Sequence, residues 1–473
     1  MSAILDWLVF SAFNTLVLVY FVLVNGFYLF TSAVAFVALR RYALRVKTVD
    51  VEDLLAGAGA PPITLIAPAY NEAATCVDAT RSLLTLNYSD YEILVVNDGS
   101  KDATLAKLTE AFGLEPAPRF PTAALPTRPI RGAYRSRRHP NLWVLDKENG
   151  GKADTLNAGL NHCRTPLFCA MDADSLLERE ALTRIVRPFL EDATTVAAGG
   201  IIRIVNGCRV EAGMVTEVRL PRSWLARFQV LEYLRAFLAG RMGWSALDAT
   251  LIISGAFGLF RRQTVVDVGG YAIDTVGEDM ELVVRLHRHC RERGIPYRIS
   301  FVPDPVAWTE CPESLRVLGR QRDRWQRGLT ETLLRHGRML LNPRYGLVGM
   351  LAYPYFFFLE MAGAAVEVAG YVVFVLAVVL HRAALPFVLA FLMVAVVLGI
   401  ALSVAAVVLE ELSFRRYPRA RDLIALFGLA VVEGLGFRQL TTFWRARGLL
   451  SALRGKKGWG EMTRKGFAPG GRG

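Results

Sequence analysis

Carboxylate side chains collect at three turns of this sequence, two that end an apolar run and one that precedes a helix pattern. They are Asp98, the pair Asp172 and Asp174, and the pair Glu278 and Asp279. Carboxylates gathered at one sheet edge repel one another and resist burial, so a fold gains little from them unless they bind a cation or accept a proton. The expected chemistry is therefore cation binding, proton transfer or both.

Asp172 and Asp174 are two positions apart at the end of an extended run. Side chains alternate along a strand, so both carboxylates point to one side, where their oxygens can bind a hard divalent cation. Mg²⁺ bound in this way keeps waters and bridges to substrate phosphates. A capped turn, with Asp174 or Ser175 as a helix N-cap, would explain the same spacing.

A basic and aromatic motif, QRDRW, occupies residues 321–325. An arginine can bind phosphate oxygens through two hydrogen bonds, and a tryptophan face can stack on a sugar ring. A solvated basic face on an interfacial helix, with Trp325 as its membrane anchor, explains the motif at least as well.

Short apolar runs alternate with helical patterns and must position these side chains. Strands are predicted at 63–69, 91–98, 141–147 and 165–174, and helices at 72–86, from Asp102, and at 280–291. This alternation predicts an α/β domain with a mostly parallel sheet, whose ligands bind at the carboxyl ends of the strands. The six prolines of 113–140 predict an irregular insertion of no assigned role.

Long apolar runs flank this region and are typical of membrane helices. Residues 7–39 suffice for one crossing, and further segments lie within 346–380, at 385–409 and at 422–443. The last carries Glu433 and Arg438 near its middle, so we expect it to lie tilted or in the interface, giving three or four membrane helices.

Basic clusters beside the apolar runs follow the positive-inside pattern, with the N-terminus outside and the C-terminus in the cytoplasm. We expect an inner- or plasma-membrane protein of four parts. These are a transmembrane helix with a basic flank (1–47), a cytoplasmic domain with interfacial helices (48–345), transmembrane or interfacial helices (346–443) and a basic cytoplasmic tail (444–473).

Composition excludes several classes of protein. A hydrophobic content of 53% excludes disordered and collagen-like chains. The six cysteines form no CxxC pair, which argues against a disulfide framework. The net charge of +12 would suit nucleic acid, a membrane surface or an anionic substrate. Because the cations lie beside apolar runs, we expect no nucleic-acid partner.

Seven short motifs occur in order along the chain. They are APAYNE (67–72), VVNDGSKD (95–102), GGKADTLN (150–157), DADS (172–175), SGAFGLFRR (254–262), GED (277–279) and QRDRW (321–325). Over about 60–330 the chain resembles the membrane-embedded processive family-2 glycosyltransferases, the group with cellulose, chitin, hyaluronan and poly-N-acetylglucosamine synthases. The resemblance implies a GT-A-like cytoplasmic domain flanked by transmembrane helices. GED stands where the cellulose branch carries TED.

The resemblance also implies the donor site. Tyr70, Glu72 and Asp98 match positions that hold the uridine of a UDP-sugar. Lys152 matches a position near the nucleotide and donor sugar.

The resemblance implies a metal and a base as well. Asp172 and Asp174 match the DxD motif that binds donor or metal, with the second aspartate as the usual ligand, so the implied cofactor is Mg²⁺ or Mn²⁺. Asp279 matches the catalytic base, and Glu278 would orient its turn.

The QRDRW run matches the family's QxxRW motif, which lies over the diphosphate and the acceptor end. The matched residues are Gln321, Arg324 and Trp325.

The implied reaction agrees with elementary chemistry. A sugar hydroxyl is a poor nucleophile near neutral pH, so a carboxylate must take its proton. The leaving UDP gains charge that a divalent cation and arginine can neutralise. One direct displacement inverts the anomeric centre, giving a β-linkage from an α-linked donor.

We therefore expect the protein to transfer sugar from a UDP-sugar to a growing glycan or lipid acceptor and to pass the polysaccharide across the lipid bilayer. Export or outer-membrane partners are possible. Two alternatives stay open, namely a single transfer to a lipid or short acceptor, and a receptor or export subunit with an inactive transferase domain. The acidic motifs and QRDRW argue against the second. A dinucleotide dehydrogenase is weaker still, because no GxGxxG follows the first strand.

Overall fold

The computed structural model describes residues 11–48, 55, 59–172 and 174–456. These residues form two compact units. One, the sheet unit, comprises Leu39–Pro221 and Leu247–Cys311, and the other, the helical unit, comprises residues up to Ala38, Arg222–Ala246 and the chain from Pro312. Most of the expected basic tail, from residue 457, and the start of the first apolar run lie outside the described residues.

A mixed ten-stranded sheet in the order β3-β4-β5-β2-β1-β6-β11-β8-β12-β7 forms the centre of the sheet unit, and β9 and β10 form a separate pair. The strands are β1 Ile63–Ala69, β2 Tyr91–Asn97, β3 Leu114–Pro116, β4 Ile130–Ser136, β5 Leu142–Lys147, β6 Leu167–Met171, β7 Leu176–Leu177, β8 Thr195–Ile204, β9 Arg209–Glu211, β10 Met214–Glu217, β11 Phe257–Arg261 and β12 Arg298–Thr309.

The four predicted strands are confirmed, and they lie side by side as the parallel group β5-β2-β1-β6. Their register aligns the strand ends, with Ala69 opposite Asn97 and Asn97 opposite Asp146. Helices cover both faces of such a group, which is why its residues are almost continuously apolar. The turns that carry the predicted site therefore emerge at one edge.

The antiparallel pairs come from strands that the sequence analysis did not predict. β11 pairs antiparallel with β6 and β8, and β7 pairs antiparallel with β12.

β3 and β4 pair antiparallel inside 113–140 and extend the sheet edge at β5, so the prediction of an irregular insertion was wrong there. Prolines are compatible with such an edge, where a missing N–H costs no ladder bond.

The segment between β3 and β4 packs along the helix Lys152–His162. Buried Arg119 bonds the His162 carbonyl oxygen at 2.7 Å, the Leu125 N–H donates to Asn161 at 2.8 Å, and the Arg128 N–H donates to Asp154 at 3.0 Å. The proline-rich insertion thus holds the helix that begins with Lys152.

Helices of the sheet unit connect these strands. They are Cys76–Leu84, Thr104–Phe112, Lys152–His162, Ala181–Ile185, Arg187–Glu191, Arg262–Asp267 and Glu278–Arg293.

The helical unit contains the apolar helices and the QRDRW motif. Its α-helices are the first part of Phe13–Thr48, then Trp224–Tyr233, Arg241–Ala246, Leu315–Arg335, Gly363–Val379, Leu385–Leu392, Leu398–Ser413, Ala420–Val432 and Phe437–Leu453. π-Helical turns at Leu234–Gly240, Val348–Ala352, Tyr355–Met361 and Met393–Val397 and 3₁₀ turns at Gly337–Met339 and Pro343–Tyr345 connect several of them.

Among the described residues, three helices are long and apolar enough to cross a membrane. They are Phe13–Val46, Val348–Val379 and Leu385–Ser413, and they coincide with three of the predicted segments. The fourth segment is two helices, Ala420–Val432 and Phe437–Leu453, bent by 61°. Length and composition allow this bent pair to be a broken span or a re-entrant loop.

The bend is stabilised by buried charge. The Glu433 carboxylate, 1% exposed, lies 2.8 Å from Arg235 Nη2 and 3.4 Å from Arg438 Nε. Ser403 donates to the same carboxylate at 3.0 Å. Charges within apolar helices persist only with such partners, and these contacts fix Glu433 at the break between the two helices.

Candidate active site

The turns after β1 and β2 interlock. Asn71, with φ 56°, donates its N–H to Ser100 Oγ at 2.9 Å and accepts the Lys101 N–H at 2.8 Å. Tyr70 is 43% exposed beside this contact, so its ring is open to a ligand. The Glu72 carboxylate accepts the Thr75 hydroxyl at 2.7 Å.

Asp98 is buried, and its carboxylate organises the turn before Lys152. Oδ1 accepts the Gly150 N–H at 2.9 Å, and Oδ2 accepts the Gly151 N–H at 2.8 Å. The Asn149 side-chain amide donates to Oδ2 at 3.1 Å. The observed contacts give Asp98 a positioning role, and a direct contact with uridine stays a prediction.

Lys147 is a site residue that the sequence analysis missed. Its side chain is fully buried, with Nζ 2.7 Å from Asp98 and 2.6 Å from Asp154. It also donates to the Glu148 carbonyl oxygen at 2.6 Å. The available signal was its place at the end of a strand, two residues after buried Leu145 and hence on the same face.

Lys152 brings the DxD motif and the GED motif together. Its Nζ lies 2.6 Å from Asp172 Oδ1 and 3.3 Å from Glu278 Oε1. Burial lowers the pKa of Lys152, but the carboxylates of Asp172, Glu278 and Asp279 outweigh burial, so the net pKa is raised. The ammonium therefore stays charged at neutral pH.

Gly255 allows this close arrangement. A Cβ at that position would lie 2.7 Å from Lys152 Nζ. The Gly255 N–H also donates to Asp279 Oδ2 at 3.0 Å, which orients the predicted base.

Glu278 and Asp279 open the helix Glu278–Arg293, where the helix dipole favours negative charge. Glu278 is 3% exposed, whereas Asp279 is half-buried. Buried Tyr271 lines the same recess as Lys152, Glu278 and Asp279. Burial, with the nearby carboxylates of Glu278 and Asp279, raises the pKa of Tyr271. The recess thus combines the partly accessible carboxylate of Asp279 with two groups that stay protonated, the Lys152 ammonium and the Tyr271 hydroxyl.

His287 ties the helix Glu278–Arg293 to the chain that leads to Gly255. Its Nε2 lies 2.8 Å from the Thr250 carbonyl oxygen, and its Nδ1 lies 2.7 Å from Tyr297 Oη. A carbonyl only accepts, so Nε2 carries the proton and Nδ1 accepts the Tyr297 hydroxyl. Burial lowers the pKa of His287 to about 4, so the ring is neutral.

The two DxD aspartates differ in accessibility. The Asp172 side chain is 31% exposed, whereas Asp174 is 2% exposed. Over the described residues, no group of three or more histidine, cysteine, aspartate or glutamate side chains is placed to hold a metal. The accessible carboxylate of Asp172 suits a Mg²⁺ or Mn²⁺ ion that takes most of its ligands from water and substrate phosphates, and joint binding by both aspartates stays a prediction.

The QRDRW motif lies on the helix Leu315–Arg335 of the helical unit. Arg322 is buried, makes two bonds to Glu232 at 2.7 and 2.8 Å, and lies 4.4 Å from the Trp325 ring centre. Buried Asp323 pairs with Arg327 at 3.1 Å and Arg447 at 3.3 Å. The alternative interpretation of the motif as a solvated basic face is therefore wrong for Arg322 and Asp323.

The three matched residues of the motif differ in exposure. Gln321 is 8% exposed, and its Oε1 has no hydrogen-bond partner among the described residues. Arg324 is half-buried, and Trp325 is 41% exposed. Their functional roles stay predictions.

Comparison with known sequences agrees with this geometry. Residues 133–328 match the family model described as glycosyltransferase like family 2, and residues 64–120 match glycosyl transferase family 2. The chain carries a family-2 glycosyltransferase domain. The resemblance predicted from seven motifs is confirmed.

The curated relatives of this chain include poly-beta-1,6-N-acetyl-D-glucosamine synthases. The Staphylococcus aureus (strain COL) protein is 29% identical over 318 residues, which are 67% of this chain and 64% of the relative. The Staphylococcus epidermidis protein is 27% identical over 274 residues, 58% of this chain and 56% of the relative. The chain thus spans somewhat less than two thirds of the length of these relatives.

Solved structures include a mannosyltransferase from Pyrobaculum calidifontis in complex with GDP-Man and Mn²⁺. It is 19% identical, covers 88% of this chain and 99% of its own, and superimposes with a TM-score of 0.51. This similarity confirms the predicted GT-A-like fold.

Removing the charge of Lys147 should destabilise the sheet unit. Lys147→Met leaves Asp98 and Asp154 buried without their shared cation, a loss of about 3–5 kcal/mol for a broken buried pair. We expect a lower melting temperature, measured by thermal shift in detergent. Lys107→Met, on an exposed helix face, is the control. A wild-type melting temperature in Lys147→Met would contradict this assignment.

Stability should fall with acidification partly through His287. The ring has an ordinary pKa of 6.5 unfolded and about 4 folded, so the unfolded chain binds more protons between these values. Its contribution is therefore complete above pH 6.5 and is lost as the pH falls towards 4. His287→Gln should show a smaller loss of melting temperature between pH 7 and pH 5 than wild type. Exposed His381→Gln should keep the wild-type slope, and an unchanged slope in His287→Gln would refute the prediction.

Proposed function

We propose that this chain is an inverting glycosyltransferase that transfers N-acetylhexosamine or hexose from a UDP-sugar and builds a β-linked polysaccharide. The observation that carries the proposal is the recess lined by Lys152, Glu278 and Asp279, with Asp172 paired to Lys152 beside it. The relatives that synthesise poly-beta-1,6-N-acetyl-D-glucosamine favour an N-acetylglucosamine donor.

Asp279 is the proposed base. Its Oδ2 is oriented by the Gly255 N–H at 3.0 Å and its Oδ1 by the Met280 N–H at 2.8 Å. These backbone donors fix the direction of the carboxylate, so that it can accept a proton from a sugar hydroxyl placed in the recess. Glu278 holds Lys152 and so positions the base.

The donor would lie along the same strand edge. Exposed Tyr70 offers an aromatic face to the uracil ring, and Glu72 and Asp98 shape the adjacent turns. Lys152 would offer its ammonium to the diphosphate. Asp172 and Asp174 would hold Mg²⁺ or Mn²⁺, which when bound neutralises charge on the leaving UDP.

Gln321, Arg324 and Trp325 are the proposed acceptor-side residues. Exposed Trp325 can stack on a sugar ring. The pairs of Arg322 with Glu232 and of Asp323 with Arg447 hold the helix that presents it. A processive enzyme needs such a fixed platform, since the glycan end returns to it after each addition.

Charge and packing support one orientation in the bilayer. Three crossings with an outer N-terminus would leave the basic stretch that contains Arg415 and Arg419 in the cytoplasm. With the same number of crossings, helix Leu315–Arg335 would lie on that side too. Because Phe437–Leu453 packs on this helix through Arg447 and Asp323, the bent pair is proposed to be re-entrant and the glycan to leave on the opposite side.

Cysteine labelling tests this orientation. We expect His381→Cys, between the second and third crossings, to react with a membrane-impermeant maleimide from outside the cell, and Pro418→Cys to react only after lysis. The background carries Cys208→Ser, since the other native cysteines are buried. Labelling of Pro418→Cys from outside the cell would contradict the proposed topology.

The function itself is tested with purified protein and a panel of UDP-sugars with Mg²⁺ or Mn²⁺. We expect UDP release and a long glycan with UDP-N-acetylglucosamine. A product one sugar longer than the acceptor would support single transfer, and absence of turnover with every donor would support the receptor alternative.

Asp279→Asn removes the proposed base and keeps its size. We expect sugar transfer to fall by roughly two to four orders of magnitude, the usual range for general-base catalysis, with UDP affinity retained in calorimetry. Exposed Asp267→Asn, outside the recess, serves as the matched control. Transfer at the wild-type rate in Asp279→Asn would show that another group takes the proton.

A further inference from the structure

The ion pair between Lys152 and Asp172 places an ammonium where the DxD motif would receive a metal. The Nζ to Oδ1 distance is 2.6 Å, the length of a strong charge-assisted hydrogen bond. Asp172 belongs to the proposed metal motif, and Lys152 also reaches Glu278 at 3.3 Å. A divalent cation and an ammonium on the same carboxylate oxygen would repel each other.

We propose that the Lys152 ammonium competes with the divalent cation for Asp172, so that the free enzyme binds the cation weakly and takes it up together with the nucleotide diphosphate. The inference rests on the proposed function, because it concerns the same donor site. It assigns Lys152 a role in the order of binding.

The surroundings of Lys152 allow the pair to exchange. The side chain of Lys152 is 17% exposed and that of Asp172 is 31% exposed, so water can solvate both during separation. Glu278, at 4% side-chain exposure, stays beside the ammonium. Lys147 differs, because its side chain is fully buried between two carboxylates.

A diphosphate would resolve the competition. Its oxygens attract the ammonium away from Asp172 and also supply ligands that the two aspartates lack for a complete coordination shell. Cation and nucleotide would then raise each other's affinity by the same factor, as linkage requires. Part of that factor would come from Lys152.

The test measures Mn²⁺ binding to full-length protein in detergent without nucleotide, from the electron paramagnetic resonance signal of free Mn²⁺. Lys152→Met, which removes the charge, should bind Mn²⁺ roughly tenfold tighter than wild type, equal to about 1.4 kcal/mol. Lys152→Arg keeps the charge and should bind Mn²⁺ as weakly as wild type. Adding UDP should raise Mn²⁺ affinity by a smaller factor in Lys152→Met than in wild type.

Equal Mn²⁺ affinity in wild type, Lys152→Met and Lys152→Arg would overturn the proposal. Lys107→Met controls for a general change in charge and should match wild type. Should Lys152→Met fail to fold, Lys152→Gln supplies the uncharged variant. The effect is independent of turnover, so a wild type that transfers no sugar would overturn the proposed function while tighter Mn²⁺ binding by Lys152→Met would still support this inference.

Discussion

Burial of carboxylates beside an ammonium is the constraint on which this sheet edge depends. Lys147 Nζ reaches Asp98 at 2.7 Å and Asp154 at 2.6 Å in a fully buried setting. A carboxylate removed from water costs several kcal/mol unless a charge and hydrogen bonds replace its hydration. Because Asp98 also accepts the N–H groups of Gly150 and Gly151, the turn before Lys152 is fixed together with the charge.

The same rule operates in the helical unit. Glu360 accepts bonds from Tyr28 at 2.6 Å, Tyr355 at 2.7 Å and Arg445 at 2.8 Å. Arg445 also bonds Gln326, next to the QRDRW motif, at 3.1 Å. Helices that pack through apolar side chains alone can slide along one another. The directional hydrogen bonds of Glu360 and Arg445 fix the position of one helix relative to the next. Charged residues in the apolar segments therefore explain how the motif helix is held.

Sequence reasoning reached the parts of the molecule that local pattern controls. The central strands were predictable because both faces are buried and apolar runs ending in acidic turns are distinctive. β3 and β4 were not predicted, because prolines such as Pro116 are unusual in strands. At the edge of a sheet a proline costs no ladder hydrogen bond, so the strand forms despite them. Lys147 was missed for a different reason. A lysine at a strand end usually reaches water, and only the tertiary pairing of Asp98 with Asp154 makes its burial favourable.

Burial distinguishes two kinds of ion pair at adjacent points of one turn. Lys147 has three acceptors and no solvent exposure, so its separation would leave two buried carboxylates without a cation. Lys152 keeps Glu278 when it leaves Asp172, and both separated groups reach water. The first pair can therefore only be structural, while the second can exchange partners when a more highly charged ligand arrives. The proposed donor site would combine both kinds, a rigid turn and on it a lysine whose ammonium is free to change its contacts.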